Sequence, residues 1–167
     1  MEDTYPQLRV SAPGRVIAIG DLHGDIGQAR RALRLAGVLG EGDESGNPTW
    51  VGGDTTVVQV GDILDRGDDE IGILILLQKL EKEARKQGGG VYVLNGNHEV
   101  LNVSGDFRYV SRGAFGETMR FSQHLVKLLV ISSAMRSAWT RRIRGRDKVR
   151  LALVSFLQGG RWRSRCP

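Results

Sequence analysis

The stretch VVQVGDILDRGDDE, residues 57 to 70, is the most informative about the fold, because an apolar strand pattern stops there at a cluster of carboxylates and one arginine. Residues 55 to 60 (TTVVQV) have the β-branched composition of a buried strand, and a Gly-Asp turn follows them. A helical pattern then covers residues 69 to 87, with Ile73, Leu77 and Leu80 on its apolar face. Strand, polar turn and helix in this order predict one unit of an α/β fold.

The same pattern occurs on both sides of this unit. Residues 15 to 20 (RVIAIG) predict a strand that leads into a helix over residues 26 to 36, and residues 91 to 94 (VYVL) predict a third strand. Short strands that are apolar throughout, in the order β-α-β-α-β, predict a parallel sheet covered on both faces. Residues 40 to 53 predict a surface loop, and residues 117 to 131 have the spacing of an amphipathic helix.

Three polar clusters follow the three predicted strands, at residues 20 to 25, 61 to 67 and 95 to 99. The carboxyl ends of parallel strands lie at one edge of a sheet, and that edge is where open α/β sheets bind ligands. We therefore expect the three loops to converge on one crevice, although each cluster taken singly also fits an ordinary turn.

The side chains in these clusters fit a pair of divalent cations. Two ions about 3.5 to 4 Å apart need a bridging carboxylate with oxygen and imidazole ligands on either side. Asp62 is the candidate bridge, Asp21 and His23 are placed to bind one ion, and Asn97 offers a neutral oxygen to the other. Because no cysteine lies in the clusters, Mn, Fe or Zn in a hydrolytic site is favoured over a structural zinc site.

Three further residues suit phosphate chemistry beside such ions. His98 directly follows a candidate ligand and is a candidate general acid, with Asp65 as the carboxylate that orients its ring. Arg66 has a planar guanidinium that matches the geometry of phosphoryl oxygens. The residues by themselves therefore predict a metal-dependent phosphoesterase.

Three sequence strings carry a resemblance to a known family: GDLHGD (20 to 25), GDILDRGDDE (61 to 70) and NGNHEVLN (95 to 102). They resemble the amino-terminal signatures of the calcineurin-like metallophosphoesterases, and the Asp-Arg-Gly and Gly-Asn-His-Glu forms point to phosphoprotein serine/threonine phosphatases. The longer strings are similar to the Shewanella-like branch. The similarity runs from about residue 16 to residue 109.

The resemblance implies a four-layer α/β/β/α sandwich and a reaction. Asp21, His23 and Asp62 would bind the first metal, and Asp62 with Asn97 the second. A hydroxide bridging the ions would attack the phosphorus of a phosphoserine or phosphothreonine on a protein. His98 with Asp65 would handle the leaving group, and Arg66 would hold the phosphate. Dinucleoside polyphosphate hydrolysis, the activity of related enzymes, is disfavoured by the two sequence forms.

The chain also departs from the family pattern. Family members supply two more histidines, another arginine and a second sheet from later strands, whereas His124 is the one histidine left here and is predicted to be a surface or half-buried residue. We expect residues 1 to 131 to be the amino-terminal half of the catalytic domain, so that the fold is incomplete. A non-catalytic metal- or phosphate-binding fragment is the alternative.

The positive charge is concentrated in one segment. The net charge is +5, yet residues 136 to 167 hold ten basic residues and one acidic residue. This tail, taken from residue 132, is either a phosphate-seeking patch or an aberrant or disordered segment that replaces the family's second half. We favour the second interpretation, because arginines dominate the tail and it contains no binding motif, so nucleic acid is not an expected partner.

Cellular context follows only weakly from the sequence. No apolar run approaches the roughly 20 residues that a membrane-spanning helix needs, and the first nine residues show no targeting pattern. The cytoplasm is the default compartment, and the resemblance adds the plastid as an alternative. The expected partner is a phosphoprotein substrate, and the sequence does not determine the oligomeric state.

Overall fold

The computed structural model of the chain describes residues 10–42 and 46–130, with side chains described to residue 125. The predicted strands and first two helices are present, each within one or two residues of its expected bounds. The predicted basic tail and Cys166 lie outside the described residues. The elements are β1 Val16–Ile19, α1 Ile26–Leu35, β2 Thr56–Gln59, α2 Glu70–Lys86, β3 Gly90–Val93, α3 Asn97–Val103 and α4 Arg112–Val130.

The three strands form a parallel sheet in the order β1-β2-β3, with Ile17, Val57 and Val91 side by side. Two crossovers of the same hand that step in one direction across a sheet place both helices on the same face. The predicted covering of both faces therefore does not hold for the described residues. Val16 is 59% exposed, and Ala18, on the same face, is exposed as well.

The core lies between the covered face of the sheet and the apolar sides of α1 and α2. Leu33 of α1 and Leu77 of α2 are at most 2% exposed and pack in one cluster with the strand residues Ile19 and Val57. The i, i+3, i+4 spacing predicted from the sequence forms this interface. This packing fixes the positions of the carboxyl ends of the strands, from which the polar loops begin.

The loop between α1 and β2 is anchored to the core, although the sequence predicted a surface loop. Leu39 and Trp50 form an isolated antiparallel bridge, and Trp50 is only 4% exposed. The Trp50 backbone N–H donates to the Glu83 carboxylate of α2 at 2.8 Å. A single large aromatic side chain thus fixes a segment whose composition is otherwise that of a turn.

Two helices differ from the prediction. Residues 95 to 99 were predicted as a loop, but residues 97 to 103 form α3, which is too short for hydrophobic periodicity to reveal. Helix α4 begins at Arg112 rather than at Glu117, because the Ser111 hydroxyl accepts from the Ala114 N–H at 2.9 Å and caps an earlier start. In the described part of the chain, no helix has the length and apolarity needed to cross a membrane.

Candidate metal centre

The first two polar loops are joined through their backbones. The Leu22 and His23 N–H groups each donate to the Asp62 carbonyl at 3.0 Å, and the Gly67 N–H donates to the His23 carbonyl at 2.9 Å. These bonds pair the loop after β1 with the loop after β2, so the predicted convergence at the carboxyl edge of the sheet is confirmed for these two loops.

Two pairs of glycines let the loops approach this closely. A Cβ placed on Gly24, which has φ +66°, would lie 2.7 Å from the Gly67 carbonyl carbon, and one placed on Gly96 would lie 2.7 Å from the Asp62 nitrogen. A Cβ on Gly61, where φ is +103°, would overlap the Gly96 backbone. Backbone packs on backbone at both crossings, which only glycine permits.

Glu99 ties the second loop to the third, a role that the sequence did not reveal. Its carboxylate is 2% exposed and accepts from four backbone N–H groups. They belong to Asp62 at 2.8 Å, Ile63 at 2.9 Å, Leu64 at 3.1 Å and Gly96 at 2.7 Å. A buried carboxylate is stable only when it is paired or hydrogen-bonded, and here the bonding fixes the geometry of two candidate metal-binding loops.

A cluster of metal-donor atoms lies where the loops meet. One donor atom from each of His23, Asp62 and His98 lies within 4.8 Å of the other two. Asp21 lies beside this cluster but is not one of its three members, with its Oδ2 3.6 Å from His23 Nε2. Asn97 is the first residue of α3, directly after the glycine that packs on Asp62.

The His23 ring fits a metal ion by its own bonding. Its Nδ1 lies 3.0 Å from the Leu64 carbonyl, and a carbonyl only accepts, so in the neutral ring Nδ1 carries the proton and Nε2 keeps its lone pair. Nε2 is buried and has no hydrogen-bond partner among the described residues. A buried acceptor without a partner is costly, and coordination of a divalent ion removes that cost, with the Leu64 carbonyl orienting the ring.

His98 and Asp65 form the predicted pair. His98 Nδ1 lies 2.7 Å from Asp65 Oδ2, and the two side chains are 5% and 0% exposed. Arg66 Nη2 lies 3.5 Å from His98 Nε2, at the opposite side of the ring. The His98 ring also packs edge-on against His23, with centroids 4.7 Å apart. His98, itself a member of the donor cluster, thus lies between the Asp65 carboxylate and the Arg66 guanidinium.

Four of the predicted site residues have left-handed backbone conformations. The φ angles are 43° at His23, 55° at Asp62, 71° at Asp65 and 70° at Arg66, and within residues 10–42 and 46–130 no other non-glycine residue has a positive φ. Each such residue costs of order 1 to 3 kcal/mol and persists where surrounding contacts determine it. Backbone strain among the described residues is therefore concentrated in the predicted site.

Two features lie at the margin of the site. An open cavity of about 740 Å³ is lined by Asp21, His23 and Arg66 together with Arg31 of α1. His124 is exposed on α4 and lies outside the donor cluster, as the sequence predicted for a surface residue.

Curated proteins of known sequence are similar to this chain over part of their length. It is 49% identical over 111 residues to Shewanella-like protein phosphatase 2 of Arabidopsis thaliana. The aligned region covers 66% of this chain and 27% of that protein. It is 44% identical over 98 residues to Shewanella-like protein phosphatase 1 of Plasmodium berghei, covering 59% and 26%. The chain thus spans about a quarter of the length of these relatives.

Solved structures of phosphatases are also similar to this chain over part of their length. A cold-active protein-tyrosine phosphatase of a psychrophilic Shewanella species matches with TM-score 0.50 and 32% identity, over 59% of this chain and 30% of that one. Another structure described as a cold-active protein tyrosine phosphatase matches with TM-score 0.54 and 30% identity, over 65% and 32%. Both share the fold of the part that is present here.

The family assignment joins these findings to the site. The sequence profile described as calcineurin-like phosphoesterase matches residues 14–139, which include all three loops and the donor cluster. The resemblance to Shewanella-like phosphatases is confirmed by the relatives above. With its parallel sheet and its site at the carboxyl edge, this chain belongs to the calcineurin-like phosphoesterase family.

Proposed function

We propose that the protein to which this chain belongs is a metal-dependent phosphatase that hydrolyses phosphoserine and phosphothreonine in proteins. The observation that carries the proposal is the buried His98–Asp65 pair, 2.7 Å apart, beside the donor cluster and Arg66. We assign the catalytic part to residues 1 to 131. The relatives named as protein phosphatases support a phosphoprotein as the substrate.

In this proposal the ions are held by Asp21, His23, Asp62 and Asn97. When bound, two divalent cations of Mn, Fe or Zn supply Lewis-acid activation of water and neutralise phosphate charge. The free lone pair of His23 Nε2 and the donor cluster support this assignment. The backbone bonds made by Glu99 keep the ligands in place before any ion binds, which lowers the cost of ordering the site.

The leaving group is handled by His98. Its Nδ1–H is bonded to Asp65, so protonation at Nε2 creates an imidazolium that the buried carboxylate stabilises. Nε2 then donates its proton to the departing oxygen. Arg66, whose guanidinium lies at the Nε2 side of the ring, is placed to bind the phosphoryl oxygens through two parallel N–H groups.

The need for an acid favours serine and threonine over tyrosine. Tyrosine has a pKa of about 10, so its phenolate leaves without help, whereas an alkoxide is a far stronger base and needs a proton. Two solved relatives are named as tyrosine phosphatases. Rates on matched phosphoserine, phosphothreonine and phosphotyrosine peptides therefore decide the substrate class, and a preference for phosphotyrosine would refute the serine/threonine assignment.

Activity is tested on the purified chain with Mn²⁺ and an aryl phosphate. Turnover that is abolished in Asp62→Asn but retained in Asp69→Asn would support the proposal. Asp69 is a matched control because it lies in the same loop, is exposed, and makes no side-chain bond at the start of α2.

A non-catalytic metal-binding fragment is the second candidate. It is favoured by the fact that the chain spans only 27% and 26% of the two curated relatives described above, while the resemblance implies further ligands from later strands. Calorimetric Mn²⁺ binding that is lost in Asp62→Asn, together with no turnover at saturating Mn²⁺, would favour the fragment. Turnover would exclude it.

A further inference from the structure

The geometry points to Asn102 as a positioning residue that holds the Asp65 carboxylate in the orientation that His98 requires. Asn102 lies one helical turn after His98 on α3 and is 0% exposed. Its Nδ2 donates to Asp65 Oδ1 at 2.9 Å and to the His98 carbonyl at 2.9 Å. The inference rests on the proposed role of His98.

The orientation of the Asn102 amide is fixed by its neighbours. The Asp65 carboxylate and the His98 carbonyl are both acceptors, so the NH₂ group, and not the amide oxygen, must face them. One hydrogen goes to each acceptor. The amide therefore joins the loop after β2, which carries Asp65, to the helix that carries His98.

Contacts, and not an intrinsic rotamer preference, fix the Asp65 carboxylate, and Asn102 supplies one of these contacts. Rotation about the terminal bond of an aspartate is broad rather than confined to narrow rotamers. Asp65 Oδ2 bonds His98 Nδ1, and Asn102 holds Oδ1 at the other side. With both oxygens held, the plane of the carboxylate is set toward the imidazole, which keeps Nδ1–H as the donor and leaves Nε2 facing Arg66.

Proton NMR of the metal-free chain tests this without any need for activity. His98 Nδ1–H, bonded to a buried carboxylate, should give a downfield resonance, which is assigned by its loss in His98→Gln. His23 Nδ1–H, bonded to the Leu64 carbonyl, gives an internal reference in the same spectrum. Asn102→Leu removes the amide at similar volume, and Asn102→Ala is the second variant if the first does not fold. Ser122→Ala, which removes a buried hydroxyl bond on α4, is the matched control.

The result expected is selective. The His98 resonance should move upfield or broaden by exchange in the Asn102 variants, while the His23 resonance and the Ser122→Ala spectrum stay unchanged. An unchanged His98 resonance would overturn the inference. Loss of both histidine resonances would also overturn it, because Asn102 would then support the site only as general structure.

Kinetics separate this inference from the proposed function. In a protein that turns over, Asn102→Leu should lower kcat on an alkyl phosphate by about 10- to 100-fold, the usual effect of losing an outer partner, with KM unchanged. The kcat on a nitrophenyl phosphate should fall far less, because nitrophenolate departs without needing a proton. If Asp65→Asn shows this split and Asn102→Leu does not, the inference fails alone; if neither shows it, the proposed role of His98 fails.

Discussion

Asp62 and Glu99 are bonded through the Asp62 backbone N–H, which donates to Glu99 Oε2 at 2.8 Å. The Asp62 side chain is held from the same helix, since its Oδ1 accepts from the His98 N–H at 2.9 Å. Both the backbone and the carboxylate of the candidate bridging ligand are therefore set by α3. The position of an ion bound by Asp62 would therefore depend on these bonds from α3.

Glu99→Gln should weaken Mn²⁺ binding about 10- to 100-fold, the usual effect of losing an outer partner of a ligand. In the variant, an NH₂ group replaces one carboxylate oxygen and cannot accept from backbone N–H groups, so some of the four hydrogen bonds are lost. The free energy of unfolding should fall by on the order of 3 kcal/mol. Calorimetry and urea unfolding measure the two effects, and Glu41→Gln, at an exposed glutamate, is the control. Unchanged Mn²⁺ affinity in a folded variant would contradict the positioning role.

The free energy of unfolding of Arg66→Gly should equal that of Arg66→Ala or exceed it by up to about 1 kcal/mol. The φ of 70° costs a non-glycine residue about 1 to 2 kcal/mol, and the entropy of glycine offsets only part of that gain. Both variants should bind inorganic phosphate more weakly, because both lack the guanidinium.

Arg30 provides the control for this pair, because it is exposed within α1. There the order should reverse, with glycine less stable than alanine by about 1 kcal/mol. Thermal unfolding of the four variants measures both differences. If the alanine variant is more stable than the glycine variant at both positions, the proposed backbone strain at Arg66 is contradicted.

His98→Asn separates the two roles open to His98, whose donor atom lies in the metal cluster. As a general acid, its loss should lower the rate on an alkyl phosphate by about 10²- to 10⁴-fold, with Mn²⁺ affinity unchanged. A carboxylate behind the ring is also found behind metal-bound histidines, so a large loss of Mn²⁺ affinity would show that His98 is a ligand instead.

Glu117 should make stability depend on pH. Burial raises the pKa of its carboxyl above the ordinary value of 4.5, although bonds from the Ile71 and Gly72 N–H groups partly oppose the shift. The unfolded chain then ionises first, so the contribution of Glu117 is greatest below the ordinary value and is lost as pH rises through the raised pKa. The difference in unfolding free energy between the wild type and Glu117→Gln should fall from about pH 4 to pH 7. A difference that grows with pH would contradict the raised pKa.

The local pattern of the sequence determined the three strands, the first two helices and the loops that follow the strands. Strand and helix periodicity depends on neighbouring residues, so Val57 and Leu77 could be assigned to the core from the sequence alone. The type of side chain likewise identified Asp62 and His98, because few residues other than carboxylates and imidazoles bind metals or move protons.

Tertiary structure decided which faces are covered and how the site is held. The strand order β1-β2-β3 left Val16 exposed, and no local pattern contains strand order. Glu99 and Asn102 act on Asp62 and Asp65, residues 37 positions away in each case. Their roles depend on the close approach of two loops where glycine backbones pack on each other. The sequence of either loop alone does not show that the two loops are in contact.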